Sequence, residues 1–242
     1  MSEPVDLVPL FTTTEVIGAG SMSISTLDLL VREGLTPPPV LPARRSRPAR
    51  YSFSALSQVT MTRTLTKATE SPVVAARMSG AIVRALRDQG KPFIPFGFED
   101  LQHKLASSPH KLAMARNPEG EFCPYRTIEA AWRTGLLDEQ EPARCDYMLV
   151  IVDGELIGEA YRGLSLLMQS HKSDTAVWPV LSYRYGGKSK GLEVRELRSE
   201  ADEAMFCERV RRAETLVQIN LSLALRRTVV EIIRSREVAS QC

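Results

Sequence analysis

Residues 11–68 read FTTTEVIGAGSMSISTLDLLVREGLTPPPVLPARRSRPARYSFSALSQVTMTRTLTKA, and the fold turns on how they divide. Thr12 and Glu15 precede and flank Val16 and Ile17 with the spacing of a capping box, in which a hydroxyl and a carboxylate each satisfy a free backbone N–H. A short first helix is expected there, ended early by Gly18 and Gly20, which tolerate a left-handed turn. Ser23 is a good N-cap for a second helix carrying Ile24, Leu27, Leu30 and Val31 at helical spacing. That helix ends at Gly34, because Pro37, Pro38 and Pro39 lack donors and fix φ.

Between Gly34 and Thr69 there is no acidic residue, while Arg44, Arg45, Arg47, Arg50, Arg63 and Lys67 are basic. Two short helices followed by a cationic extended segment ending in Tyr51 suit groove reading combined with phosphate contact. Ser54 to Thr69 is expected as a third helix with Leu56, Val59 and Leu65 inward. Ser71-Pro72 opens a fourth, whose apolar face of Val73, Val74, Ala76, Ala81, Ile82 and Leu86 runs up to Gly90.

In their order and register, Ser23, Thr26, Leu27, Glu33, Gly34, Leu35 and Pro37, followed by Arg50-Tyr51-Ser52, resemble the N-terminal winged-helix domain of MerR-type transcription regulators. The resemblance covers about the first quarter of the chain. It implies duplex DNA as partner, a homodimer and contact with RNA polymerase; the metal or thiol sensor usual in that family is not visible, since no suitable cysteine cluster lies beyond the wing, and no cofactor is expected. The chain departs from the family pattern at Asp28, where a basic residue is usual, and at Leu29 and Leu30, where aromatics are. A carboxylate there repels phosphate or accepts from a cytosine amino group, so base preference does not carry over. The candidate DNA contacts are Ser23, Ser25, Thr26 and Arg32 on the second helix, for the groove. Arg44, Arg45, Arg47, Arg50 and Tyr51 on the wing are assigned to phosphates or the minor groove, and Leu27 and Leu30 to the core.

The chain has 242 residues, 43% hydrophobic and 25% charged, with net charge +2. These are globular values, and the near-neutral balance makes the basic character local. Cys123, Cys145, Cys207 and Cys242 form no Cys-x-x-Cys pair and read as reduced thiols of a cytoplasmic protein, nucleoid-associated if it binds DNA as the resemblance implies. No apolar run reaches the roughly 18–20 residues that span a membrane.

After Lys91–Gly97 (KPFIPFG), a candidate boundary, the pattern changes. Short helices are expected within 98–115 and 127–137. Asp153-Gly154 between MLVIV and ELIGEAY is a type I′ hairpin signature, and 176–185 with 191–197 suggest a second pair of strands joined by GGKSKG. A P-loop would require glycine at Ser182, so GGKSKG reads as a basic turn offering Lys188 and Lys190. Ser199 to Glu237 is expected as one long helix, its stripe of Phe206, Val210, Ala213, Val217, Leu221, Leu225, Val229 and Ile232 serving as core or dimer interface.

The spacing of His103, His110 and Cys123 matches no compact zinc pattern, and His171 with Asp174 lacks a nucleophile's context. Glu155 and Glu159 read as one solvated strand face rather than a hydrolytic pair. No enzyme is expected. The expected fold is α+β: a winged helix-turn-helix unit with a trailing helix over 11–90, an α+β domain with hairpins over 98–198, and a C-terminal helix over 199–237. The rivals to a transcription regulator are an excisionase-like or architectural DNA binder and a protein–protein adaptor using the winged helix.

Overall fold

A computed structural model describes residues 10–45, 47–69, 71–88, 98–116, 120, 122–138, 146–161, 177–185 and 192–241. Its fold is α+β. At the N-terminus β1 (Phe11–Thr12) pairs antiparallel with β2 (Arg50–Tyr51), Phe11 opposite Tyr51, and so gathers the intervening chain into one unit. The capping box is formed at the start of α1 (Thr13–Gly20): Glu15 N–H donates to Thr12 Oγ1 at 3.2 Å and Thr12 N–H to Glu15 Oε2 at 2.7 Å.

The end of α1 differs from expectation. Gly18 and Gly20 stay helical, and Ser21 takes the left-handed turn, with φ 49°. Gly20 serves another purpose. A Cβ there would stand 2.5 Å from Val59 Cγ1, so its bareness lets α1 lie close against α3 (Phe53–Thr69).

Ser23 caps α2 (Ile24–Arg32), accepting Thr26 N–H at 3.2 Å. Beyond the helix Gly34 adopts φ 67°, its N–H bonding Val31 O and that of Leu35 bonding Leu30 O, the paired bonds of a Schellman ending. Leu27 and Leu30 are buried as expected, but Ile24 is 56% exposed, so the apolar face of α2 begins one turn later than its periodicity suggests.

Leu56, Val59 and Leu65 of α3 are fully buried. The helix packs beside α4 (Pro72–Asp88), which in turn lies against the sheet, so that Ala76, Ala81 and Ile82 of its apolar face are buried within its own chain. Val73 is the exception, being exposed. Three further helices, α5 (Phe98–Leu105), α6 (Pro109–Met114) and α7 (Pro124–Arg133), follow.

Five antiparallel strands form the sheet: β3 (Tyr147–Val152), β4 (Leu156–Tyr161), β5 (Val177–Tyr185), β6 (Leu192–Glu196) and β7 (Leu216–Asn220), in the order β6-β5-β4-β3-β7. At the β3–β4 turn Asp153 and Gly154 have φ 49° and 65°, and Glu155 N–H closes onto Val152 O at 3.0 Å. Two successive positive φ values are what the Asp-Gly signature supplies. Since Val152 pairs with Leu156, Glu155 is left over as an extra residue of the turn. The strands β5 and β6 pair as expected, while their connection 186–191, with Lys188 and Lys190, lies outside the described residues, as do His171, Asp174 and the 91–97 boundary.

The near-continuous apolar run of β3 follows from burial of both its faces. Tyr147, Leu149 and Ile151 meet α3 and α4, whereas Val150 and Val152 meet Phe206 of α8 (Glu200–Arg212) on the other side. Burial also corrects the reading of Glu159. It is not on a solvated face but buried, accepting a hydrogen bond from Tyr147 Oη at 3.0 Å.

The expected single helix over 199–237 is instead three elements: α8, then β7, then α9 (Leu221–Gln241). Ser199 does cap α8, with Asp202 completing a capping box. The helix stops because the chain is captured by the β3–β4 turn, where Asp153 Oδ1 accepts from Glu214 N–H at 2.9 Å and Thr215 N–H at 3.0 Å. The following LVQIN then adds to the open edge of β3, and Asn220 Oδ1 starts α9 by accepting Leu223 N–H at 2.8 Å. The apolar stripe is therefore two stripes. Phe206 packs on the sheet, Leu225, Val229 and Ile232 pack with residues of α1, α2, α3, α5 and α7, and Val217 between them is exposed.

One core gathers Phe11, Val16, Leu27 and Val59 together with Leu101, Ile128, Leu225 and Val229. The expected parts 11–90, 98–198 and 199–237 thus do not each enclose a core of their own; α9 supplies apolar surface to the N-terminal helices. Beneath it a buried ion pair, Arg226 Nη2 to Asp146 Oδ2 at 2.9 Å, fixes α9 to the start of β3, with Asn220 Nδ2 donating to the same carboxylate at 2.8 Å.

Candidate nucleic-acid interface

The candidate contact residues fall into two sets. On α2, Ser23 Oγ lies 2.8 Å from Ser25 Oγ and 2.9 Å from Thr26 Oγ1, so three hydroxyls cluster at the N-terminus of the helix. Unpaired N–H groups and the positive dipole end favour an anion there. The outward face continues through Ser25, Asp28, Leu29 and Arg32, all exposed. Arg32 lies back along its own helix, Nε to Asp28 O at 3.4 Å.

The second set sits on a backbone hairpin over 41–50. Arg44 and Arg47 exchange hydrogen bonds of 2.9 and 3.1 Å, and Leu41 and Arg50 exchange bonds of 3.2 and 2.8 Å. Pro42 and Pro48 lie between these two pairs and have no N–H to extend the ladder. The arginines Arg44, Arg45 and Arg47 at the tip are exposed, and Arg50 at the base is half-buried. None of these four has an ion-pair partner among the described residues. The three at the tip face solvent.

Tyr51 is placed differently. It is buried opposite Phe11, in one core cluster with Phe53, a core residue rather than an outward contact. Burial raises its hydroxyl pKa above the usual tyrosine value, and the negative charge of Asp28 raises it further, against a hydrogen bond with Thr13. The periodicity of the wing did not distinguish Tyr51 from its exposed neighbours, because the β1–β2 pairing that turns it inward is made with residues 40 positions upstream.

A groove of about 1260 Å³ opens beside the start of α2, walled by α3, the free edge of β7 and the first turns of α9. It brings Arg63 and Lys67 of α3 to the same concavity as Ser23, Thr26 and Arg227. In the sequence Arg63 and Lys67 stand out only as part of the basic run. Their four-residue spacing puts them on one helix face, but nothing local brings Arg227 to them.

Among the described residues no group of His, Cys, Asp and Glu is arranged to hold a metal ion. His103 and His110 belong to α5 and α6, and Cys123 is buried ahead of α7. No helix among the described residues is long and apolar enough to cross a membrane. No family model matches the chain, and no curated protein matches it.

Proposed function

We propose that the chain is a sequence-specific DNA-binding transcription regulator, in which α1 and α2 form a helix-turn-helix and the 41–50 hairpin is its wing. The observation that carries this reading is the hairpin itself: four arginines on a ten-residue loop directly after two capped helices, without a carboxylate partner among the described residues. In this reading α2 enters the major groove with Ser25 and Arg32 toward the bases. The Ser23 and Thr26 hydroxyls at its N-terminus and the hairpin arginines hold phosphates, so that affinity comes from the backbone and selectivity from α2. Asp28 repels phosphate and accepts from a cytosine amino group. Two copies of the chain bind two half-sites about 34 Å apart at a promoter, beside RNA polymerase.

Genome-wide crosslinking of the protein to DNA tests this, with Arg44/Arg45/Arg47/Arg50→Ala run alongside. Discrete promoter peaks sharing an inverted repeat, absent in the variant, are expected. Occupancy without a shared motif would favour an excisionase-like or architectural binder instead.

A second reading has its own support. Ile24 and Leu29 of α2 are 56% and 44% exposed, apolar surface on either flank of the outward face that suits a protein partner better than a phosphate-lined groove. An adaptor of this kind would give no enrichment on DNA.

A further inference from the structure

We propose that the groove between α3, β7 and α9 is a binding site for a small amphipathic anion, a carboxylate or phosphate ester carrying an apolar body. The argument begins with Arg63. This side chain is half-buried, its Nη2 donates to Thr228 Oγ1 at 3.2 Å, and its Nε is buried with no hydrogen-bond partner. No carboxylate pairs with it among the described residues. A partly dehydrated guanidinium left without an anion is costly, because its lost hydration is not replaced.

Lys67 stands one turn further along the same face of α3, also without an ion-pair partner among the described residues, and Arg227 reaches the groove from α9. Glu231 is the one acidic residue among the described residues lining the groove. The site therefore carries a net positive charge although the chain as a whole is near neutral. Leu223 and Ile219 give the floor an apolar patch, and among the described strands β7 pairs on one side only, so its outer edge offers backbone donors and acceptors to the groove. Convergent cations above an apolar floor, in a concavity large enough for a drug-sized molecule, are the features of a small-ligand site.

The test needs no nucleic acid, so its outcome is independent of the DNA reading. The probe is 8-anilinonaphthalene-1-sulfonate, an aromatic sulfonate that brightens in apolar surroundings, and its uncharged relative N-phenyl-1-naphthylamine is titrated beside it. The folded chain, with its near-ultraviolet circular dichroism unchanged, is expected to bind the sulfonate with one-to-one stoichiometry. Arg63→Gln and Lys67→Gln are each expected to weaken it about tenfold while leaving the uncharged dye within about twofold. Lys67 is exposed, so its variant keeps the test open even if Arg63→Gln disturbs the fold. Absence of stoichiometric binding, or equal losses of the two dyes in Lys67→Gln, or no loss in either variant, would overturn the assignment.

Discussion

Arg236 grips both oxygens of Glu15, Nε to Oε1 at 2.6 Å and Nη2 to Oε2 at 2.9 Å, across 221 positions of sequence. The same guanidinium donates to Tyr125 Oη at 3.1 Å and to Leu10 O at 2.9 Å, and lies 5.6 Å from the ring centres of both Phe11 and Tyr125. Glu15 is also the capping-box carboxylate of α1. The late turns of α9 are thereby fastened to the first turn of the helix pair that carries the proposed DNA-reading surface. Replacing Arg236 by Ala removes a charged hydrogen-bond network and its ring contacts, and is expected to cost about 2–3 kcal/mol in urea unfolding. Glu15→Gln, which retains an acceptor for Thr12 N–H, is expected to cost about 1 kcal/mol less than that.

The pair also sets a pH dependence. Burial alone would raise the Glu15 pKa, but the hydrogen bonds from Arg236 and Thr12 and the charge of Arg236 outweigh it, and the folded value lies below the ordinary 4.5. A carboxylate with a lowered folded pKa binds fewer protons when folded, so its contribution is complete above its unfolded pKa and is lost as pH falls through the folded one. The stability difference between the native chain and Glu15→Gln is expected to stay flat from about pH 7 to about pH 5 and to shrink steadily below that. A difference that grew on acidification would contradict the assignment.

Asp146 and Arg226 present the opposite case of an ion pair fully removed from water, at 0% and 1% side-chain exposure. Removing either charge strands the other in the core. Asp146→Asn and Arg226→Met are each expected to cost about 3–5 kcal/mol, whereas Asp146→Leu combined with Arg226→Met should recover most of that loss. Denaturant unfolding of the three variants makes the comparison, and losses that simply add would argue against a stranded charge.

Two glycines of α1 offer a contrast within one turn. A Cβ at Gly20 meets Met22 Cε at 2.4 Å and Val59 Cγ1 at 2.5 Å, while one at Gly18 meets nothing within 4 Å. Gly20→Ala is expected to destabilise by about 1–3 kcal/mol through overpacking. Gly18→Ala should instead be neutral or stabilise by up to about 1 kcal/mol, since alanine is the better helix former. Thermal unfolding of both distinguishes close approach at Gly20 from a general intolerance of α1.

What could be read directly from the chain was what short-range chemistry determines. The Thr12–Glu15 box, the Ser23 and Ser199 caps, the Gly34 ending and the Asp153-Gly154 turn each depend on a few adjacent residues, and all are present. The misreadings have one cause. Continuity of the stripe from Phe206 to Ile232 concealed a strand, because LVQIN fits either period and only the open edge of β3 and the Asp153 carboxylate decide for pairing. Glu159 and Tyr51 looked solvent-facing because their partners, Tyr147 and Phe11, are 12 and 40 positions away. The arginines of the hairpin were visible as a charge run; the groove was not, since its walls come from distant segments of the chain.

The proposed DNA contact is tested most directly by the salt dependence of binding. Anisotropy of a labelled duplex carrying the crosslinked site would be followed from low to moderate salt for the native chain and for Arg44/Arg45/Arg47/Arg50→Ala. The logarithm of the native affinity is expected to fall linearly with the logarithm of salt. The four substitutions should flatten that slope by about 3–4, near one unit for each phosphate that an arginine no longer neutralises. An affinity indifferent to salt, or a slope the same with and without the four arginines, would contradict the reading of the hairpin as a phosphate clamp.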